Sequence, residues 1–274
     1  MSTAEIGDRA ERAAARALEL DPFSADAHVA VALCKLWLTD DTQGAEAHFR
    51  RALALQPQSA TVIVHHANSL IATGDAAEAM KAVEQAVALD PLAPFVCGLG
   101  AVTMYACRRY DRAVDLAQRA LDLHPGFALG LYALGLALCQ QGQFDRGIEA
   151  CNRLVEITNR ASVPAGMLGY AYAAAGRRSE ALLLLDELNE RAGRQYVDPI
   201  GVVLIHAGLR DWDRVAVALE RLTNMPGSFT ALRILIAPSL EVMRGDPRFD
   251  ALVGGVYLGS PGPGPDFLDG PRIA

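Results

Sequence analysis

The sequence predicts an all-α solenoid built from repeated helix hairpins, and two observations carry this prediction. First, prolines that follow an apolar helix end recur at Pro22, Pro57, Pro91 and Pro125, with spacings of 35, 34 and 34 residues. Second, each interval holds two amphipathic segments separated by a short turn. One such hairpin cannot bury both of its apolar faces alone, whereas a stack of hairpins can. We therefore expect many small cores along a right-handed superhelix.

The unit after the fourth of these prolines shows the pattern best. Pro125 and Gly126 form a turn signal, and the apolar residues of Ala128–Gln140 then recur at the spacing of a helix. Gly142 ends this first helix, and a second amphipathic segment follows it. We expect the two helices to touch at Gly135, because a residue without a side chain allows close approach. The equivalent glycine of the next unit, Gly169, leads to the same expectation.

A period of 34 residues built from helix–turn–helix units is the signature of tetratricopeptide repeats (TPRs), and the chain resembles a TPR protein over nearly its whole length. This resemblance implies about six to seven repeats over residues 1–253. The first repeat is partial, because Thr3–Leu20 has the small-residue spacing of a second helix without its first. Arg108 and Arg210 stand where the turn glycine is usual. Residues 254–274 are rich in Gly and Pro, and we expect a disordered or loosely docked tail.

A narrower resemblance concerns the C-terminal part. The segments Tyr196–Pro199, Val202–Asp211 and Asp246–Leu252, the last with the motif DPRF, are similar to the end of the TPR region in bacterial multidomain regulators. Those regulators fuse the repeats to a nucleotide-cyclase-type, winged-helix or kinase domain. The resemblance implies an interaction or sensory role in signalling or transcriptional regulation. No residues of such an effector domain are recognised, so its activity is not carried over.

Composition limits the classes of partner. The formal net charge is −7 and the isoelectric point about 5.4, which disfavours direct binding of nucleic acid. No signal peptide and no apolar run long enough to cross a membrane is recognised, so we expect a cytoplasmic protein without membrane contact. Five cysteines lack C-x-x-C spacing and are expected to be reduced core residues: Cys34, Cys97, Cys107, Cys139 and Cys151.

The resemblance also implies that the first helix of each hairpin lines a concave groove. Positions 2, 5, 9, 12 and 13 of such a helix share one face. In successive repeats these positions hold mainly apolar and aromatic residues, which predicts a groove for an apolar or amphipathic protein or peptide partner. The alternative is that the rings fill a tightly wound superhelix or pack on their own neighbours. The candidate groove residues are Leu33, Trp37, Val64, Asn68, Phe95, Tyr105, Tyr132, Leu136, Gln140 and Tyr170.

Two other functions stay open: an enzyme or small-molecule receptor that uses the groove as its pocket, and a structural module that forms homo-oligomers. No phosphate-binding loop, nucleophile elbow or pair of catalytic carboxylates is found, so no catalytic residue and no cofactor are predicted. His65 and His66 are adjacent and point about 100° apart on a helix, so they are not predicted to share a metal; His66 is expected in the core. Asn68 alone matches the clamp by which some TPR modules hold a C-terminal carboxylate.

Overall fold

The computed structural model describes residues 3–223 and 237–240. Within these ranges the regular secondary structure is helical, which confirms the all-α prediction. The described helices are Thr3–Leu20 (α1), Ala25–Thr39 (α2), Thr42–Leu55 (α3), Ala60–Thr73 (α4), Ala76–Leu89 (α5), Pro94–Ala106 (α6), Tyr110–Leu123 (α7), Ala128–Gln140 (α8), Phe144–Ile157 (α9), Ser162–Ala174 (α10), Arg178–Ala192 (α11), Pro199–Gly208 (α12), Trp212–Thr223 (α13) and Ala237–Leu240 (α14).

Helices α2 to α13 form consecutive hairpins, from α2–α3 to α12–α13. Each first helix of a hairpin also contacts the first helix of the next hairpin, so α2, α4, α6, α8, α10 and α12 line one face of the solenoid. Helix α1 packs on α2 in the way that the second helix of each hairpin packs on the following first helix. This arrangement confirms the predicted solenoid of helix hairpins, in which α1 packs like the second helix of a hairpin.

Local chemistry explains where the helices begin and end. The side chains of Ser24, Ser59 and Asp75 each accept a hydrogen bond from a backbone N–H in the first turn of the helix that follows. Such caps satisfy donors that have no partner inside the helix. Helices α3, α5 and α7 end two residues before the recurring prolines, because the residue before a proline disfavours helical geometry.

Each of the six hairpin turns between α2 and α13 contains a residue in the left-handed conformation. Glycine adopts this conformation without strain, whereas other residues do so at a cost of roughly 1–2 kcal/mol. Half of these turns therefore place a non-glycine residue in the left-handed conformation, although its side chain disfavours that conformation. The glycines are Gly74, Gly142 and Gly176, and the other residues are Asp40, Arg108 and Arg210.

The α8–α9 hairpin is held by two glycine–cysteine contacts. A Cβ atom added to Gly135 would lie 2.6 Å from the Sγ atom of Cys151, and one added to Gly147 would lie 2.7 Å from the Sγ atom of Cys139. Both separations are too short for a real side chain, so each thiol fills the space that a glycine leaves on the facing helix. Gly135 therefore lies where the two helices of its hairpin touch, as predicted.

The corresponding prediction for Gly169 is wrong. A Cβ atom at Gly169 would lie 2.5 Å from the side chain of Ile205, which belongs to α12 and not to the hairpin partner α11. The reason is an unusually close approach between α10 and α12. A Cβ atom at Gly166 would lie 2.3 Å from the Cα atom of Gly201, so here two first helices touch backbone to backbone.

Two predictions fall outside the described residues. They are the DPRF segment Asp246–Leu252 and the tail of residues 254–274. The boundary at residue 253 therefore stays a prediction.

Candidate peptide-binding groove

The predicted groove residues lie on the first helices but differ in exposure. We call the face formed by these residues on α2, α4, α6, α8 and α10 the groove. Half of them are buried in the folded chain and so present little surface to a partner. The buried residues are Val64, Asn68, Tyr105, Tyr132 and Leu136, and the half-buried ones are Leu33, Trp37, Phe95, Gln140 and Tyr170.

Polar side chains in the groove pair between successive first helices. The Nδ2 atom of Asn68 on α4 donates a hydrogen bond to the Oγ1 atom of Thr103 on α6, at 3.1 Å. The Nε2 atom of Gln140 on α8 donates one to the hydroxyl of Tyr170 on α10, at 2.9 Å. The paired residues are 35 and 30 positions apart in the sequence, so each hydrogen bond joins two successive first helices.

One polar contact in the groove comes from far along the chain. The hydroxyl of Tyr105 lies 2.9 Å from the Oγ atom of Ser239 on α14, 134 residues away. Helix α14 packs on α6 and α12, and Ser239 also lies near enough to Tyr170 of α10 to lower the pKa of its hydroxyl. The short helix thus lies on the face lined by the first helices. The sequence pattern did not reveal this, because a four-residue segment carries no helix period and no repeat spacing.

Burial raises the pKa values of the groove tyrosines further above neutral pH. Desolvation, helped by nearby Cys139, raises the pKa of Tyr170 to about 12. Desolvation also raises the pKa of Tyr105 and of Tyr132 well above the usual tyrosine value. At neutral pH these hydroxyls are hydrogen-bonding groups set in apolar walls, and none is a base. Such a surface can recognise a ligand by shape and by a few directed hydrogen bonds.

Comparison with known families decides the identity of the repeat. Two family models, both described as tetratricopeptide repeat, match this chain: one at residues 7–60 and 105–162, the other at residues 36–94. Together they cover more than half of the sequence. The chain belongs to the TPR family. No curated protein matches it at a significant level.

Solved structures similar to this TPR protein come from different biological settings. The human IFIT1 dimer with m7Gppp-AAAA is 19% identical over 92% of this chain and 64% of its own, with a TM-score of 0.64. PilW, titled a widely conserved type IV pilus biogenesis factor, is 18% identical over 70% of this chain and 89% of its own, with a TM-score of 0.57. PilF of Pseudomonas aeruginosa is 19% identical over 73% and 90%, with a TM-score of 0.53. At these identities the similarity shows the fold alone.

The adjacent histidines of this TPR protein face different helices. The ring of His65 packs on the ring of Phe95 of α6, with centroids 5.0 Å apart, and burial lowers the pKa of His65 to about 4. The Nε2 atom of His66 lies 3.0 Å from a carboxylate oxygen of Glu46 on α3. The two side chains therefore diverge, as their helical spacing requires. Across residues 3–223 and 237–240, no three His, Cys, Asp or Glu side chains converge as they would on a metal ion.

Another histidine pair was not anticipated from the sequence. The Nδ1 atoms of His28 and His48 are 3.0 Å apart, and the Nε2 atom of His28 lies 3.2 Å from the carbonyl oxygen of Pro22. The carbonyl can only accept, so Nε2 of His28 carries the proton, and Nδ1 of His48 then donates to Nδ1 of His28. Desolvation, and then the nearby His28, lower the pKa of His48. This hydrogen bond joins α2 to α3.

Two further observations bear on the environment of this TPR protein. All five cysteines are free thiols, and four are buried. Among the described helices, none combines the length and the hydrophobicity that a bilayer span requires.

Proposed function

We propose that this TPR protein is a scaffold that binds a protein or peptide along the groove. The observation that supports this most directly is the pairing of the half-buried Gln140 on α8 with the half-buried Tyr170 on α10. It aligns neutral hydrogen-bonding side chains on consecutive first helices within apolar surroundings. A peptide backbone needs such directed partners when it enters an apolar groove, because an unpaired buried amide is costly.

The half-buried aromatic residues supply the anchors. Trp37 on α2 and Phe95 on α6 keep part of their rings exposed while they pack on the core. Aromatic side chains offer a large contact area with few rotatable bonds, so they dominate the energy of many interfaces. A partner that covers these rings gains burial without disturbing the hairpins beneath them.

We further infer a cytoplasmic, bacterial setting in which the scaffold is the interaction or sensory part of a signalling or transcriptional regulator. The resemblance of Tyr196–Pro199 and Val202–Asp211 to the end of such regions supports this role, and the free thiols fit a reducing compartment. A reporter assay with the groove variants described next tests it: a regulator that depends on this groove responds to them, and an unchanged output contradicts the regulatory role.

The binding function can be tested by selecting peptides from a random display library on the immobilised chain. We expect Trp37→Ala and Tyr170→Phe to weaken the selected peptides, the former by about thirtyfold if the indole is a dominant anchor worth about 2 kcal/mol. Val217→Ala is the matched control, because Val217 is an exposed apolar residue on α13, outside the groove. Equal affinity for the wild-type chain and both groove variants contradicts binding in the groove.

A further inference from the structure

The groove already has an occupant, which is α14. Its residues Pro238, Ser239 and Leu240 are all buried, Ser239 to 4% exposure and Leu240 to 0%. Leu240 belongs to the hydrophobic core cluster that runs through the solenoid. A four-residue helix has too little length to be stable by itself, so these contacts and not its own hydrogen bonds hold it in place.

The contacts made by α14 resemble those of a bound peptide. The Ser239 hydroxyl meets the hydroxyl of Tyr105 on α6 at 2.9 Å and also interacts with Tyr170 on α10. Tyr170 in turn accepts from Gln140 at 2.9 Å. Hydrogen bonds therefore join Gln140 of α8 to Tyr170 and Tyr105 of α6 to Ser239, and Ser239 lies beside Tyr170. The serine supplies a polar partner to Tyr105, which is fully buried and whose hydroxyl would otherwise be desolvated at a cost.

We propose that the groove is a site for one helical turn that carries a hydroxyl followed by a leucine-like side chain, and that Ala237–Leu240 fills it as an internal mimic of the partner. This inference rests on the proposed function, because it names the chemistry that the same groove recognises. A partner peptide must displace α14. Since α14 is tethered, it competes at an effective concentration of about a millimolar or more, so only a tight binder or a released segment opens the site.

The proposal explains the exposure pattern of the groove. Tyr105 is fully buried beneath α14, whereas Trp37 on α2 stays half-buried. The two residues come from equivalent stretches of their helices, at positions 12 and 13. A segment that docks on α6 and α12 shields the first and does not contact α2 appreciably. Displacement of α14 would expose the hydroxyls of Tyr105 and Tyr170 together.

The test uses the full chain with Leu240→Asp, which places a charge in the apolar pocket and expels α14. The probe is a fluorescent synthetic peptide with the sequence of residues 231–245, ALRILIAPSLEVMRG. We expect the variant to bind this peptide at least about tenfold more tightly than the wild-type chain does, because the competing segment is removed. The same peptide with aspartate at position 240 should not bind. Leu183→Asp is the matched control, since Leu183 is 68% exposed on α11.

Nitration by tetranitromethane, mapped by mass spectrometry, reports the release of α14 without any peptide. Tyr105 and Tyr170 should react faster in Leu240→Asp than in the wild-type and Leu183→Asp chains. Ser239→Ala, which removes only the hydroxyl, should give a smaller change in the same direction and keeps the test informative if Leu240→Asp fails to fold. Unchanged nitration of both tyrosines in a folded Leu240→Asp or Ser239→Ala chain overturns the proposal.

Peptide binding in the groove and occupation of the groove by α14 can be disproved separately. If nitration rises but neither the probe nor display-selected peptides bind any variant, α14 covers the groove and the peptide-binding function is wrong. If selected peptides bind through Trp37 and Tyr170 with the same affinity in the wild-type and Leu240→Asp chains, the binding function holds and the self-occupancy is wrong.

Discussion

Leu33 and Leu136 hold the same place in their repeats yet have different surroundings. Each is the ninth residue of a first helix, in α2 and α8, and both were predicted to line the groove. Leu33 is half-buried, whereas Leu136 is 0% exposed. Helix α8 has first helices on both sides, α6 and α10, whereas α2 has α4 on one side and the second-type helix α1 on the other. Repeat position thus decides which face a residue occupies, and the number of neighbouring repeats decides how deeply it is buried.

Truncation of the two leucines should give the largest difference. We expect Leu136→Ala to lower the free energy of unfolding by about 2–5 kcal/mol, because it leaves a cavity in a closed core. Leu33→Ala should cost only about 1 kcal/mol, since solvent can reach the site. Urea denaturation of the two variants and the wild-type chain measures both values. Equal losses would mean that the two ends of the groove are packed alike.

The hairpin crossings offer a second comparison. The eighth residue of α8 is Gly135, and the eighth of α2 is Ala32, which is buried although it carries a methyl group. Gly135→Ala should therefore destabilise the protein by about 1–3 kcal/mol, because the new methyl group meets the Sγ atom of Cys151. The measurement is again urea denaturation.

A double-mutant cycle identifies the cause of that loss. Cys151→Ala removes the sulfur atom, so Gly135→Ala should cost less in the Cys151→Ala background than in the wild-type one. A cost that is the same in both backgrounds would assign the strain to the backbone and not to the contact between the two side chains.

His65 is a half-buried residue of α4, and its ring packs on the ring of Phe95 of α6. Its pKa is lowered to about 4 by burial, from an ordinary value of 6.5. The neutral ring is thus favoured in the folded state, and the unfolded chain takes up a proton first as the pH falls. The stability contributed at pH 7 should decline as the pH drops from about 6.5 towards 4.

Urea denaturation at a series of pH values checks this dependence. In His65→Phe, which keeps a ring beside Phe95, the decline between pH 6.5 and 4 should be smaller than in the wild-type chain. His124→Phe serves as the control, because His124 is exposed. A wild-type decline that persists in full in His65→Phe would assign it to other groups.

The smallest effect concerns the turns. Arg108 in the α6–α7 turn has a φ of 59°, and Gly142 in the α8–α9 turn has a φ of 74°. Arg108→Gly should raise the free energy of unfolding by about 0.5–1 kcal/mol, because relief of the left-handed strain exceeds the added freedom of the unfolded chain. Gly142→Ala should lower it by about 1 kcal/mol from backbone strain alone, since an added Cβ meets nothing within 4 Å. Thermal melts of both variants measure these two changes in stability. A destabilised Arg108→Gly would show that contacts of the arginine side chain outweigh its strain.

The sequence predicted the fold because its signals are local and repeated. Prolines recur at a nearly constant period after α1, α3, α5 and α7, and each interval holds two amphipathic segments, so that stacking leaves few alternatives. The groove could be predicted only in part. Burial of Leu136 depends on neighbouring repeats, and the contact between Gly169 and Ile205 depends on a close approach that one unit does not reveal. The position of Ser239 could not be read at all, because its partner Tyr105 lies 134 residues away.

The buried thiols can report when the region of the solenoid around each of them opens. Burial raises the pKa of Cys107 and of Cys139 to about 12, so neither reacts with an alkylating agent until its helices separate. In a quasi-one-dimensional array, such separations occur locally and spread to neighbours. The half-buried Cys34 near one end and the fully buried Cys151 near the middle can therefore be timed against each other in one labelling experiment. The order in which the thiols are labelled indicates which region of the chain opens first.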